Sequence, residues 1–177
     1  MPGTLNTLRS AYRTGSKLFS GALAGSAAGA VYDPARDEMF AASLGGGAAV
    51  NGLPLRVSGI ARLDRALVVA QAQSVDEGEI RAYTALVRRL MQAAGGVRSL
   101  GSPALTLCAI AAGRLEAYCE YAMDAWDIAA GQLILHEAGG TLTTFSGAAH
   151  ATAERADVAA SNGRVHPELL AVLKDLA

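Results

Sequence analysis

Two acids stand where this chain could carry chemistry. Glu120 lies in the apolar run Ala117-Tyr118-Cys119-Glu120-Tyr121, and Asp127 follows seven residues later in Trp126-Asp127-Ile128-Ala129-Ala130-Gly131. The first run reads as a strand. The second opens a helix whose Ile128, Leu133, Ile134 and Leu135 leave little polar surface and which stops at Gly139-Gly140. Strand, acid, short loop, acid, helix brings both carboxylates near one sheet edge, where α/β folds bind ligands. An acid in a first helical turn is also favoured by the helix dipole with no chemistry attached, so the surrounding pattern is what sets Asp127 apart. Upstream, Gly101-Ser102-Pro103-Ala104 opens another helix. Ser102 is its cap, and Pro103 takes the first position, where a missing N–H costs nothing.

Other candidates read differently. Asp124 is close to Asp127 in sequence, and loop acids are common, so it is expected to be an exposed loop acid and not a second ligand. His136 lies round and along the helix from Asp127 and reads as a core or surface residue. His150 and His166 fall in loops without metal-ligand spacing. Gly45-Gly46-Gly47 lacks the Lys-Ser/Thr of a phosphate-binding P-loop and is followed by strand residues, which makes it a hairpin turn.

The elements that must position these residues alternate between strand and helix. Asn51-Gly52 is a type I′ hairpin signal between Ala48-Ala49-Val50 and Pro54-Leu55-Arg56-Val57. Ala66 to Ala70 is a short strand apolar enough to be buried on both faces. Ser74-Val75-Asp76-Glu77 has the form of a capping box, and Ile80, Tyr83, Leu86, Val87, Leu90, Met91 and Ala94 then recur at helical spacing up to Gly95-Gly96. Arg81, Arg88 and Arg89 form the solvated face of that helix. Val97 to Leu100, Thr141 to Phe145 and Asp157 to Ser161 read as strands, and Pro167 to Leu176 as a closing helix with its leucines inward. Met1 to Gly29 is rich in small residues and keeps no clean period of 2 or 3.6, so weak structure is expected there. Sheets alternating with helices argue for a layered α/β domain.

The 177 residues suffice for one domain with a substantial core. With 51% hydrophobic residues and a net charge of −1, nothing points to nucleic acid or to an anionic membrane surface as partner. Cys108 and Cys119 sit in apolar segments without CxxC spacing and read as buried thiols, in keeping with a reducing cytoplasm. No signal-like opening and no apolar run of ~18 residues is present, so neither export nor membrane insertion is expected.

Taken in order, Gly101-Ser102-Pro103-Ala104, Glu120, Trp126 to Gly131 and Glu137-Ala138-Gly139-Gly140 resemble the inositol monophosphatase family of magnesium-dependent sugar-phosphate phosphatases. The resemblance runs from about Val31 onward. Asp33-Pro34 with Arg36-Asp37-Glu38-Met39-Phe40 is similar to the family's Asp-Pro-x-Arg-Asp-Glu-Leu-Phe, and Asn51 to Ser58 to its Asn-Gly-x-Pro-Ile-x-Val-Ser. Gly3-Thr4-Leu5-Asn6 resembles the end of the family's first signature. In that alignment Pro2 stands at the second metal-binding aspartate, while the first aspartate and a glutamate ligand would precede Met1.

The resemblance implies a layered α/β sandwich of the sugar-phosphatase type, incomplete at the amino terminus. Residues 1–30 would be a poorly structured remnant, and residues 31–177 a single phosphatase-like domain. It implies magnesium-dependent hydrolysis of a small polyol or sugar phosphate, since hard divalent cations want clustered oxygen ligands that they share with substrate phosphate. Asp127 would hold the metal. Thr4 would act on the phosphate and the attacking water. Gly3, Gly101, Ser102, Pro103 and Glu120 would bind substrate, although Pro103, where the family usually has alanine, has no N–H to donate. With Asp127 alone among the family's carboxylate ligands, turnover is expected to be impaired. The alternatives are a non-catalytic relic and a module that binds sugar phosphates. Expected partners are a small phosphate monoester and no nucleic acid or membrane, with a homodimer as the assembly kept open.

Overall fold

Positive backbone torsions at Asn51 (φ 49) and Gly52 (φ 86) show why the Asn-Gly pair makes a hairpin. The computed structural model describes residues 28–72, 76–150, 155–174 and 176. That hairpin joins β3 (Gly47–Val50) to β4 (Leu53–Pro54), the last strands of an antiparallel meander that begins with β1 (Ala28–Asp33) and β2 (Glu38–Ser43). β1 starts slightly before the expected boundary at residue 31. Register pairs Val31 with Phe40 and Ala42 with Ala48, so these buried residues share one face of the sheet.

The second sheet has the order β6-β5-β7-β9-β8. Its strands are β5 (Leu67–Gln71), β6 (Gly96–Arg98), β7 (Ala117–Met123), β8 (Thr141–Thr144) and β9 (Ala156–Ser161). β5 runs parallel to β6 and to β7, whereas β9 is antiparallel to both β7 and β8. Helix α1 (Glu77–Ala93) links β5 to β6, α2 (Pro103–Ala111) links β6 to β7, and α3 (Ala125–Glu137) follows β7. α4 (His166–Leu173) closes the chain.

The period-two alternation of the strands sorts side chains into two cores. Val69, Tyr118, Val158 and Ala160 face a core shared with α2, α3 and the meander. Val68, Ala70, Ala117, Cys119 and Ala159 face the other, built with Leu86 and Leu90 of α1 and Leu169 and Leu173 of α4. The layers run meander, α2 with α3, second sheet, α1 with α4, which is the expected α/β class. Both cysteines are buried, and burial pushes their thiols up.

Several local expectations need correction. The cap of α1 is Asp76, whose carboxylate accepts from Gly78 N and Glu79 N; Ser74 lies outside the described residues. Asp76-Glu77-Gly78-Glu79 carries the same box pattern two residues later, and its acid is the one placed at the helix start. Arg89 is half-buried, with Nη1 donating to the Val172 carbonyl of α4, and so departs from the solvated face. His166 is the buried first residue of α4, where Nδ1 pairs with Ser161 Oγ and Nε2 with Thr143 Oγ1. The triple glycine does form a turn, but it also holds an anion: Glu137 of α3 accepts from Gly45 N and Gly47 N, each at 2.9 Å.

Candidate active site at the carboxyl ends of parallel strands

Parallel pairing sets Gln71, at the end of β5, beside Glu120 in β7. Gln71 Nε2 donates to Glu120 Oε2 at 2.7 Å, and Gln71 Oε1 accepts from Gly101 N at 2.9 Å. The Tyr118 hydroxyl donates to the same Glu120 oxygen. Both Gln71 and Glu120 are only 2% exposed, so these donors replace the water a carboxylate would otherwise take. Burial above all, and then the charge of Glu120, pushes the Tyr118 phenol up, which keeps it a donor.

Beyond Glu120 the strand is irregular. Register shifts between Glu120 and Met123, and Ala122 adopts a left-handed conformation with φ 54. Its amide donates to Asp157 Oδ1, and its carbonyl accepts from Arg155 Nε, both at 2.8 Å. The chain then turns into α3, with Asp124 at the N-cap position and the Asp127 amide donating to the Asp124 carbonyl at 3.1 Å. Burial, and secondarily the nearby charge of Asp124, raises the Asp127 carboxyl above its ordinary range. An open cleft of roughly 360 Å³ lies here, lined by Glu79, Glu120, Asp124, Asp127, Arg155, Ala72 and residues 121–123.

Glu120 and Asp127 therefore meet in one cleft, at the carboxyl ends of parallel strands of the five-stranded sheet and away from its lateral edges. Asp124, expected to be an exposed loop acid, is half-buried and lines the same cleft. Gly101, Ser102 and Pro103 do not line it. Gly101 reaches Glu120 through Gln71, Ser102 Oγ accepts from Leu105 N as the cap of α2, and Pro103 is buried at the start of that helix. Gly3 and Thr4 lie outside the described residues. Gln71, Tyr118, Glu79 and Arg155 were missed. Only Gln71 had a legible signal, a polar residue closing an otherwise apolar strand.

Magnesium needs oxygen ligands and accepts waters and substrate phosphate among them. Among the described residues, no group of three or more His, Cys, Asp and Glu side chains could hold an ion. The described carboxylates alone do not fit a resident magnesium.

A family model described as the inositol monophosphatase family matches residues 24–176. The chain belongs to the inositol monophosphatase family. A protein of Neisseria meningitidis named putative Nus factor SuhB is 36% identical over 143 residues, covering 81% of this chain and 54% of that protein. An inositol-1-monophosphatase of Mesorhizobium japonicum is 36% identical, covering 83% and 55% respectively. The solved structure of inositol monophosphatase from Anabaena superposes with a TM-score of 0.78 at 33% identity, covering 85% of this chain and 59% of that one. The chain thus spans about half the length of the curated relatives it matches. No described helix is long and apolar enough to cross a membrane.

Proposed function

We propose that the chain binds a small polyol or sugar phosphate in this cleft, as a magnesium-dependent phosphomonoesterase of its family whose turnover is impaired. The observation that carries the reading is the buried Glu120 carboxylate, held by Gln71 and Tyr118 and lining the same cleft as Asp127. A buried carboxylate in fixed orientation accepts from hydroxyls, and a polyol presents several at once. Arg155 supplies a cation at the same cleft. The impairment is read from the carboxylates among the described residues, which alone do not fit a resident magnesium; Asp127 would be the one to hold an ion. Gly3 and Thr4 would act on the phosphate and the attacking water, and Gly101 supports the site through its amide, which donates to Gln71.

Binding and turnover of inositol 1-phosphate by the purified chain, each with magnesium and with chelator, test this. Calorimetric binding is expected, weakened about tenfold by Glu120→Gln, which exchanges a charge-assisted hydrogen bond for a neutral one. Slow phosphate release is expected only with magnesium. Absence of binding under both conditions refutes the reading. Fast metal-dependent turnover abolished by Asp127→Asn refutes the impairment.

A further inference from the structure

One irregularity in β7 sets where the cleft's acids stand. Glu120 pairs with Val158 and Met123 with Ala156, so Tyr121 and Ala122 together oppose the single residue Asp157, the arrangement of a β-bulge. Without the extra residue, period-two alternation would place Ala122 on the face of Tyr118 and Glu120. With it, Met123 takes that face, buried in the same core as Tyr118 and 3.7 Å from its hydroxyl, and Asp124 begins α3 in the next position.

The bulge requires a backbone shape that alanine disfavours, since at φ 54 its Cβ crowds the following carbonyl. Two side chains of the opposing segment hold it: Asp157 Oδ1 takes the Ala122 amide and Arg155 Nε gives to the Ala122 carbonyl. Tyr121 is pinned separately, its ring 5.0 Å from that of Phe145. We propose that Asp157 and Arg155 are positioning residues, which clamp both polar groups of Ala122 and so fix the spacing of Glu120 from Asp124 and Asp127. This rests on the proposed function of the cleft. Asp157 does not line the cleft and acts through the backbone, whereas Arg155 both clamps and lines.

Inositol 1-phosphate and inorganic phosphate are the probes, read by calorimetry on the full chain with thermal unfolding alongside. Asp157→Ala is expected to weaken inositol 1-phosphate about tenfold, the scale of one hydrogen bond to a charged group, with inorganic phosphate unchanged. Asp157→Asn keeps an amide oxygen for the Ala122 N–H and should bind as the parent does. Ala122→Gly, which accepts φ 54 unaided, should restore binding to Asp157→Ala; it also decides the matter if the single variant fails to fold. Equal weakening of both probes, or no rescue by glycine, overturns the positioning role. So does unchanged binding in Asp157→Ala. A parent chain that prefers inositol 1-phosphate, with Asp157→Ala keeping that preference undiminished, fails this inference alone; a parent that does not distinguish the probes fails the proposed function and the inference with it.

Discussion

Gln71 and Glu120, forty-nine residues apart, meet at 2.7 Å as an amide donor and a buried carboxylate. The same amide group accepts from Gly101, so one side chain ties three segments together at the cleft. Gln71→Leu removes both bonds and leaves a buried charge with one donor fewer. A loss of about 2–3 kcal/mol is expected, measurable as a lower urea midpoint with unchanged slope. Affinity for inositol 1-phosphate should fall with it, because Glu120 would lose a donor that orients it.

Glu137 anchors the β2–β3 turn from the end of α3, and the Gly45 amide foremost, assisted by Gly47 and His136, holds its carboxyl below the ordinary glutamate range. A depressed folded value means that the charged form favours the fold. Its contribution is present above the unfolded carboxyl value and is lost as pH falls through the folded one. Glu137→Ala should cost about 1–2 kcal/mol at neutral pH, from two charge-assisted bonds at a partly open site. Unfolding of parent and variant compared from pH 7 down to pH 3 should show that difference shrinking in acid; a constant gap would contradict it.

Much of this architecture could be read from adjacent residues. Asn51-Gly52 and Ser102-Pro103 are local signals, because a turn or a helix start is decided by the torsions and free amides of residues next to one another. The cap of α1 shows the limit: Ser74-x-x-Glu77 and Asp76-x-x-Glu79 overlap, and local chemistry does not choose between them. The cleft depends on pairings that no window contains. Glu120 and Asp127 were legible as an acid on a strand and an acid on the next helix. Their supports, Gln71 from a parallel neighbour and Arg155 from beyond β8, are placed by sheet order. Asp124 departs from the expected exposed loop acid for the same reason: it is half-buried just after the bulge at Ala122, which pairing with β9 reveals and no local window does.

Asp127 is strained in the opposite electrostatic sense from Glu137. Burial first, and the charge of Asp124 second, raise its carboxyl above the ordinary aspartate value. The protonated form therefore favours the fold: that stability is complete below the unfolded value and is lost as pH rises through the folded one. Asp127→Asn should unfold at a higher temperature than the parent at pH 7.5 and match it near pH 3, while losing any magnesium-dependent turnover. Asp124→Asn should lower the titration midpoint of Asp127, read by carboxyl chemical shift. A midpoint that rises or stays put would remove Asp124 from the electrostatics of the cleft.

Gly131 lies one helical turn beyond Asp127, where α3 crosses α2. A Cβ built there would stand 2.9 Å from both Cβ and Cδ1 of Leu107 and 3.3 Å from the Ala104 carbonyl oxygen. Elsewhere in a helix, glycine to alanine stabilises by roughly 0.5–1 kcal/mol. Here the contact falls on a leucine that is itself fully buried, so Cδ1 has no open space to enter and the helices must separate. Overpacking of that kind costs about 1–3 kcal/mol. Gly131→Ala should therefore be a net loss of about 1–2 kcal/mol, equivalent to roughly 2–8 °C in Tm for a chain of this size. Leu107→Ala in the same chain removes the Cδ1 contact while leaving the Cβ one, and should recover part of what Gly131→Ala loses. A double-mutant cycle would show the two changes coupled, and strictly additive effects would mean that the crossing accommodates the methyl by other means.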